Sequence, residues 1–174
     1  MRMNYDLHPI FVHFPIALLS LYTVIEILPF GRWLPQVNWR HLKRVLLFVG
    51  VIGAFVALYT GEIAEHLNRP NRQLVNDHAL FSQISTWIYG ALLLGEVLSI
   101  LNKSHLMGKF HVVWVKNLST FLEKFLCKSV YVKVLAVLGI IALTVAGLLG
   151  GVMVYGTTAD PVASFVLNLL GISM

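Results

Sequence analysis

Two histidines stand at the mouth of the first apolar run, His8 and His13 in "HPIFVHFPIALL". Two more occupy similar boundaries further on, His66 in "TGEIAEHL" and His78 in "NDHALF". Imidazole nitrogen ligates transition metals and haem iron, and it titrates near neutrality. Acids accompany these rings. Glu62 lies four residues before His66 on one helix face, Glu65 adjoins His66, Asp77 precedes His78, and Asp6 lies just before His8. A carboxylate beside an imidazole fixes its tautomer and raises its basicity as a ligand. Each histidine also has a plainer role. His8-Pro9 can start a helix, Asn76 or Asp77 can cap one ahead of His78, and His66 can be an interfacial polar residue.

The elements that must position these residues follow from composition. Of 174 residues, 57% are hydrophobic and 12% charged, and the mean hydropathy is +0.77. A soluble domain carries about 25% charged residues, so the solvent implied is a bilayer. Four stretches are long enough to cross it: about Pro9 to Phe30, Val45 to Ala64, Ala79 to Leu101 and Val130 to Tyr155. None alternates as a barrel strand must, so they are helices. The expected fold is all-α, one membrane domain over residues 1–174, with four transmembrane helices running up-down-up-down. Between spans three and four, at about 112–128, Trp114, Leu118, Phe121, Leu122 and Phe125 recur at helical spacing. Lys116, Glu123, Lys124 and Lys128 lie opposite. That pattern predicts an amphipathic helix on the membrane surface. The tail "DPVASFVLNLLGISM" is too short to span and is expected to lie against the other interface. The start "MRMNYD" leads into a full-length apolar helix, which reads as a retained anchor rather than a cleaved signal.

Basic residues orient the bundle. Arg32, Arg40, Lys43 and Arg44 follow span one. Lys103, Lys109, Lys116, Lys124, Lys128 and Lys133 surround the loop after span three. Only Arg2, Arg69 and Arg72 remain for the other face. The positive-inside rule then places both termini and the second loop outside the cytoplasm of a bacterial inner membrane. The same distribution argues against nucleic acid, because the charges mark loops instead of a basic patch on a soluble module. The single cysteine, Cys127, excludes an internal disulfide and a cysteine cluster.

With that orientation His8, His13, His66 and His78 share the outer face. Spans one and three are expected to be diagonal, too far apart for direct contact between imidazoles but suited to a flat cofactor. Pro15, one turn into span one, is placed to aim His13 inward. His41, His105 and His111 fall beside the cytoplasmic lysines, where headgroups account for them. Glu26 and Glu96 lie in the cytoplasmic half, where Arg40, Lys43 or Lys133 would partner them, with a proton path as the other use. Gly50, Gly53, Gly61, Gly90, Gly95 and Gly139 allow close helix packing, and "GLLGG" at 147–151 reads the same way.

The stretches "HPIFVHFPIALL", "TGEIAEH…NDHALF" and "GGVMVYG" resemble a bacterial membrane family known as domain of unknown function 2231, from His8 to about Val162. The resemblance implies a four-helix membrane protein. Some members carry fused cytochrome c or Rieske-type domains, which implies work beside electron carriers. The positions it carries over are His8, Pro9, His13, Pro15, Gly61, Glu62, His78 and, less closely, His66. This chain has no Cys-x-x-Cys-His, so its electron carrier would be a separate periplasmic or membrane protein.

Three functions follow. The first is b-type haem electron transfer at the outer face, with His13 and His78 as axial pair, His66 or His8 as substitute, and Glu62 and Glu65 tuning the site. The second is a zinc, copper or iron site drawn from His8, His13, His66, His78 and Glu62. The third is a cofactor-free assembly subunit whose histidines form a polar or pH-sensitive cluster. Secondary transport fits poorly with four spans lacking repeated halves. Ser82, Ser85 and Thr86 near His78 read as packing hydroxyls, and no nucleophile set or phosphate loop is present. The implied partners are lipid, an electron carrier and, for a homo-oligomer, further copies of the chain.

Overall fold

The structure, a computed structural model, describes residues 8–67, 72–104, 113–157 and 161–172, apart from the side chains of residues 66–67 and 113–116. It is helical throughout, in the order α1 (His8–Ile27), α2 (Phe30–Trp33), α3 (Trp39–Leu67), α4 (Arg72–Lys103), α5 (Val113–Leu126), α6 (Ser129–Tyr155) and α7 (Ala163–Leu170). Among the described residues, four helices are long and apolar enough to cross a membrane: α1, α3, α4 and α6. At most 33% of the central window of each is buried within the protein, and Phe48, Trp87, Ile141 and Val154 face outward. Hydrocarbon is the solvent that suits such a surface. The first span ends earlier than expected. Pro29 disfavours helical geometry in the residue before it, so α1 stops at Ile27 and Phe30 belongs to the short α2. The other three begin up to seven residues sooner than the apolar runs, since a helix continues beyond the hydrocarbon layer.

Helix α1 packs on α3, α3 on α4, α4 on α6, and α6 back on α1, which closes a ring with α1 and α4 on a diagonal. The centre holds Leu19, Tyr22, Leu47, Val51, Tyr89 and Leu92. Tyr89 is fully buried, and its hydroxyl donates across the diagonal to Thr23 Oγ1 at 2.7 Å while Thr23 donates to the Leu19 carbonyl at 3.0 Å. A polar atom in the core is thereby satisfied.

The expectation of unrepeated halves is overturned. A constant shift of 70 positions carries His8 to His78, Phe11 to Phe81 and Glu26 to Glu96. A shift of 89 carries Gly50, Ile52, Val56, Ala57 and Gly61 of α3 to Gly139, Ile141, Val145, Ala146 and Gly150 of α6. The packing repeats with the sequence. Gly50 abuts Leu18 and Leu19, while Gly139 abuts Ile88 and Tyr89, their counterparts 70 positions on. Hairpin α1–α3 and hairpin α4–α6 are thus two copies of one unit, running the same way about an axis along the bundle. Continuous helices and parallel copies still differ from an inverted-repeat transporter. The repeat escapes a simple reading because the two helices of each unit are displaced by different amounts.

Helix α5 docks against α4 through polar groups. Asn102 donates to Glu123 Oε2 at 2.6 Å and accepts from Ser119 at 3.1 Å. Glu123 therefore turns toward the bundle, not outward with the lysines as expected, because it has a partner there. Leu118, Phe121 and Phe125 are exposed along one face. Helix α7 closes the histidine end, burying Ala163 and Leu167 against Leu74, Leu149 and Val152. It ends at Gly171 (φ 68), whose left-handed backbone lets the Ile172 amide reach the Leu167 carbonyl at 2.9 Å.

Candidate functional site

His8 opens α1 and His78 lies two turns into the equivalent helix α4, and the structure brings their rings together with centroids 6.2 Å apart and planes at 87°. The expectation that the diagonal is too wide for two imidazoles to meet is corrected by this contact. The physical reason lies on the other two helices. A Cβ on Gly61 would stand 3.0 Å from His8 Cε1, and one on Gly150 would stand 3.1 Å from His78 Cε1. Each ring fills the space that a missing side chain leaves, and the two glycines are repeat counterparts.

Backbone carbonyls set both tautomers. The Ala146 carbonyl can only accept, so His78 Nδ1 donates to it at 2.8 Å. His8 Nδ1 lies 3.2 Å from Thr60 Oγ1, and that hydroxyl donates to the Ala57 carbonyl at 3.1 Å, so the ring donates to the hydroxyl oxygen. Ala57 and Ala146 are repeat counterparts too. In each neutral ring the lone pair then resides on Nε2. Orientation of one ring nitrogen by a protein acceptor is how ligating histidines are held.

The remaining candidates are placed differently. His13 is exposed, and its Nδ1 donates to the Pro9 carbonyl of its own helix at 2.5 Å; His8, not His13, meets His78. Five residues turn a helix by about 500°, so His8 and His13 cannot share a face. The buried stripe of α1 is Pro15, Leu19 and Tyr22, and stepping back seven residues from Pro15 reaches His8. Pro15 itself packs at Gly53. Glu62 and Glu65 are exposed. The side chain of His66, together with Asp6, Arg69, His105 and His111, lies outside the described residues. Among the described residues no three of His, Cys, Asp and Glu are grouped to hold a metal ion. Among the described residues the histidines brought together are His8 and His78.

At the opposite end Glu26 pairs with Lys43 at 2.6 Å and Glu96 with Arg44 at 2.7 Å. Lys43 was among the expected partners and Arg44 was not. Both belong to the turn of α3 that faces the ends of α1 and α4. Nearby Cys127 donates to the Gly95 carbonyl at 3.3 Å. Burial pushes its thiol above the ordinary value of 9.0, and the carboxylates of Glu96 and Glu123 push the same way. The thiolate is the nucleophile, so a raised pKa moves reactivity to higher pH. Iodoacetamide labelling of the native protein should reach half its maximal rate above pH 9.0, and at lower pH after denaturation in urea with a neutral detergent. Coincident profiles would contradict this placement.

The model of one family, described as predicted membrane protein (DUF2231), matches residues 4–163. The chain belongs to that family. The match spans both hairpins, so the DUF2231 unit is the whole duplicated bundle, its two facing histidines included. No curated protein and no solved structure matches the chain.

Proposed function

We propose that this DUF2231 protein is a membrane electron-transfer subunit that holds a b-type haem between His8 and His78. The observation that carries the reading is the donor set: two imidazoles from diagonal helices, each with Nδ1 engaged by the protein, and no third donor grouped with them among the described residues. A porphyrin brings four nitrogens of its own and asks the protein for two, whereas a zinc or copper site asks for three or four.

When bound, the group would supply one-electron chemistry, with His8 and His78 as the residues that hold it. The chain's own part is to orient His8 through the Thr60 hydroxyl and His78 through the Ala146 carbonyl. The positive-inside rule puts Lys43, Arg44 and Lys103 in the cytoplasm and the histidines on the periplasmic face of a bacterial inner membrane, where a separate carrier would exchange electrons.

A dithionite-reduced minus oxidised spectrum of detergent-purified protein, expressed with haem supplementation, tests the reading. The expected result is a sharp α-band with about one haem per chain. A flat spectrum from folded protein would overturn it, and elemental analysis of the same sample would then separate a metal site from a cofactor-free scaffold.

A further inference from the structure

The axis that carries the histidines ends, at the opposite pole, in a cavity of about 340 Å³. All four long helices contribute to it. Glu26 and Glu96, repeat counterparts, both line it, as do Trp39, Arg40, Lys43 and Arg44 of α3. Its volume is that of a small-molecule pocket, typically about 300–1,000 Å³. Charge selects the occupant. The two carboxylates are each taken by one cation, Glu26 by Lys43 and Glu96 by Arg44. No carboxylate among the described residues pairs with Arg40, which leaves one positive charge in excess. Arg44 bonds its glutamate through Nε, so the terminal nitrogens of its guanidinium are not used by that bond. The first residue of α6, Ser129, also lines the cavity, and Lys128 at the N-cap makes no side-chain capping bond. The amides and dipole of a 27-residue helix therefore add to the same field. Leu92, Leu126 and Val132 complete the wall with apolar surface.

Arginines with a helix N-terminus make a site for tetrahedral oxyanions. The cavity lies where three spans leave the hydrocarbon, since α3 and α6 begin there and α4 ends just beyond. Phospholipid headgroups occupy that level, and basic pockets between helices recognise them. We infer that this cavity binds the phosphate group of an anionic phospholipid, with Arg40 as the residue that engages it and the Glu26–Lys43 and Glu96–Arg44 pairs holding the remaining cations in place. The inference is independent of what the histidines hold.

The test uses the full chain in neutral detergent, with phosphatidylglycerol, phosphatidylcholine or inorganic phosphate added. Two readouts are followed: melting temperature, and alkylation of Cys127, which lines the cavity. At about ten times the Kd of phosphatidylglycerol, the vacant fraction falls about tenfold, and alkylation slows by that factor while the melting temperature rises. Phosphatidylcholine at equal concentration should do neither. Arg40→Gln, exposed and outside both ion pairs, should melt as wild type without lipid and lose both effects. Lys124→Gln on α5 should keep them, which separates the cavity from general attraction to a basic surface. Equal protection by phosphatidylcholine, or protection surviving Arg40→Gln, would overturn the inference. Protection by inorganic phosphate alone that Arg40→Gln removes would assign the site to a soluble phosphate and overturn the lipid as its source.

Discussion

Replacing either His8 or His78 by alanine should abolish the absorption of the haem proposed above, and replacing His13 by alanine should leave it intact. The contrast rests on placement. His8 and His78 face each other at 6.2 Å, while His13 is exposed and bonded to its own helix. With one of the two imidazoles gone the chain would no longer hold the group, so the sharp α-band should vanish and haem content should drop well below one per chain. A structural role for the pair predicts something else. The double variant would then differ from wild type only in melting temperature, with no spectral change to explain. Retention of a normal spectrum in His8→Ala together with its loss in His13→Ala would return the axial role to His13 and show that α1 rotates on loading. That result would sink the present assignment.

A large expected effect on stability comes from Gly139→Ala. A Cβ there would meet Tyr89 Cε2 at 2.9 Å and Cζ at 3.0 Å. Tyr89 is a rigid ring with no exposed surface, tied at its hydroxyl to Thr23, so it cannot retreat without giving up that bond. Overpacking of this kind costs about 1–3 kcal/mol. Gly147→Ala and Gly151→Ala are the controls, because neither position has an atom within 4 Å of the added Cβ. There alanine gains about 0.5–1 kcal/mol of helix propensity and should be neutral or slightly stabilising. Melting curves of the three variants in one detergent decide the matter. Equal losses would mean that the α4–α6 contact is not as close as described.

That contrast also shows what was legible in the sequence. The four spans, their order and the surface helix could be read because twenty consecutive apolar residues leave few alternatives. The glycines were legible only as a class. "GLLGG" looks like a glycine packing motif, yet of its three glycines only Gly150 would set an added Cβ against another helix, at His78. Which face of a membrane helix turns inward is poorly marked when every side is apolar, and α1, α4 and α6 show little amphipathicity. The four histidines could therefore be gathered at one end but not paired. His13 drew attention through its neighbour Pro15, whereas the informative relation was the seven-residue step from His8 to Pro15 and the four-residue step on to Leu19. Glu26 and Glu96 were recognised as needing partners, but Arg44 was missed because its pairing with Glu96 crosses from one repeat to the other.

The duplicated hairpin gives the two facing rings a further consequence. Each hairpin is a local unit whose helices meet along their lengths, whereas at the histidine end the two units touch through His8 and His78. Any group that ligates both rings is then a cross-link between halves, and its binding energy adds directly to their association. Loading should raise the temperature at which the halves separate by more than it alters either half alone, as mass action requires of a ligand that recognises only the assembled state. In a cell such a chain would be kept or discarded according to whether its ligand had arrived.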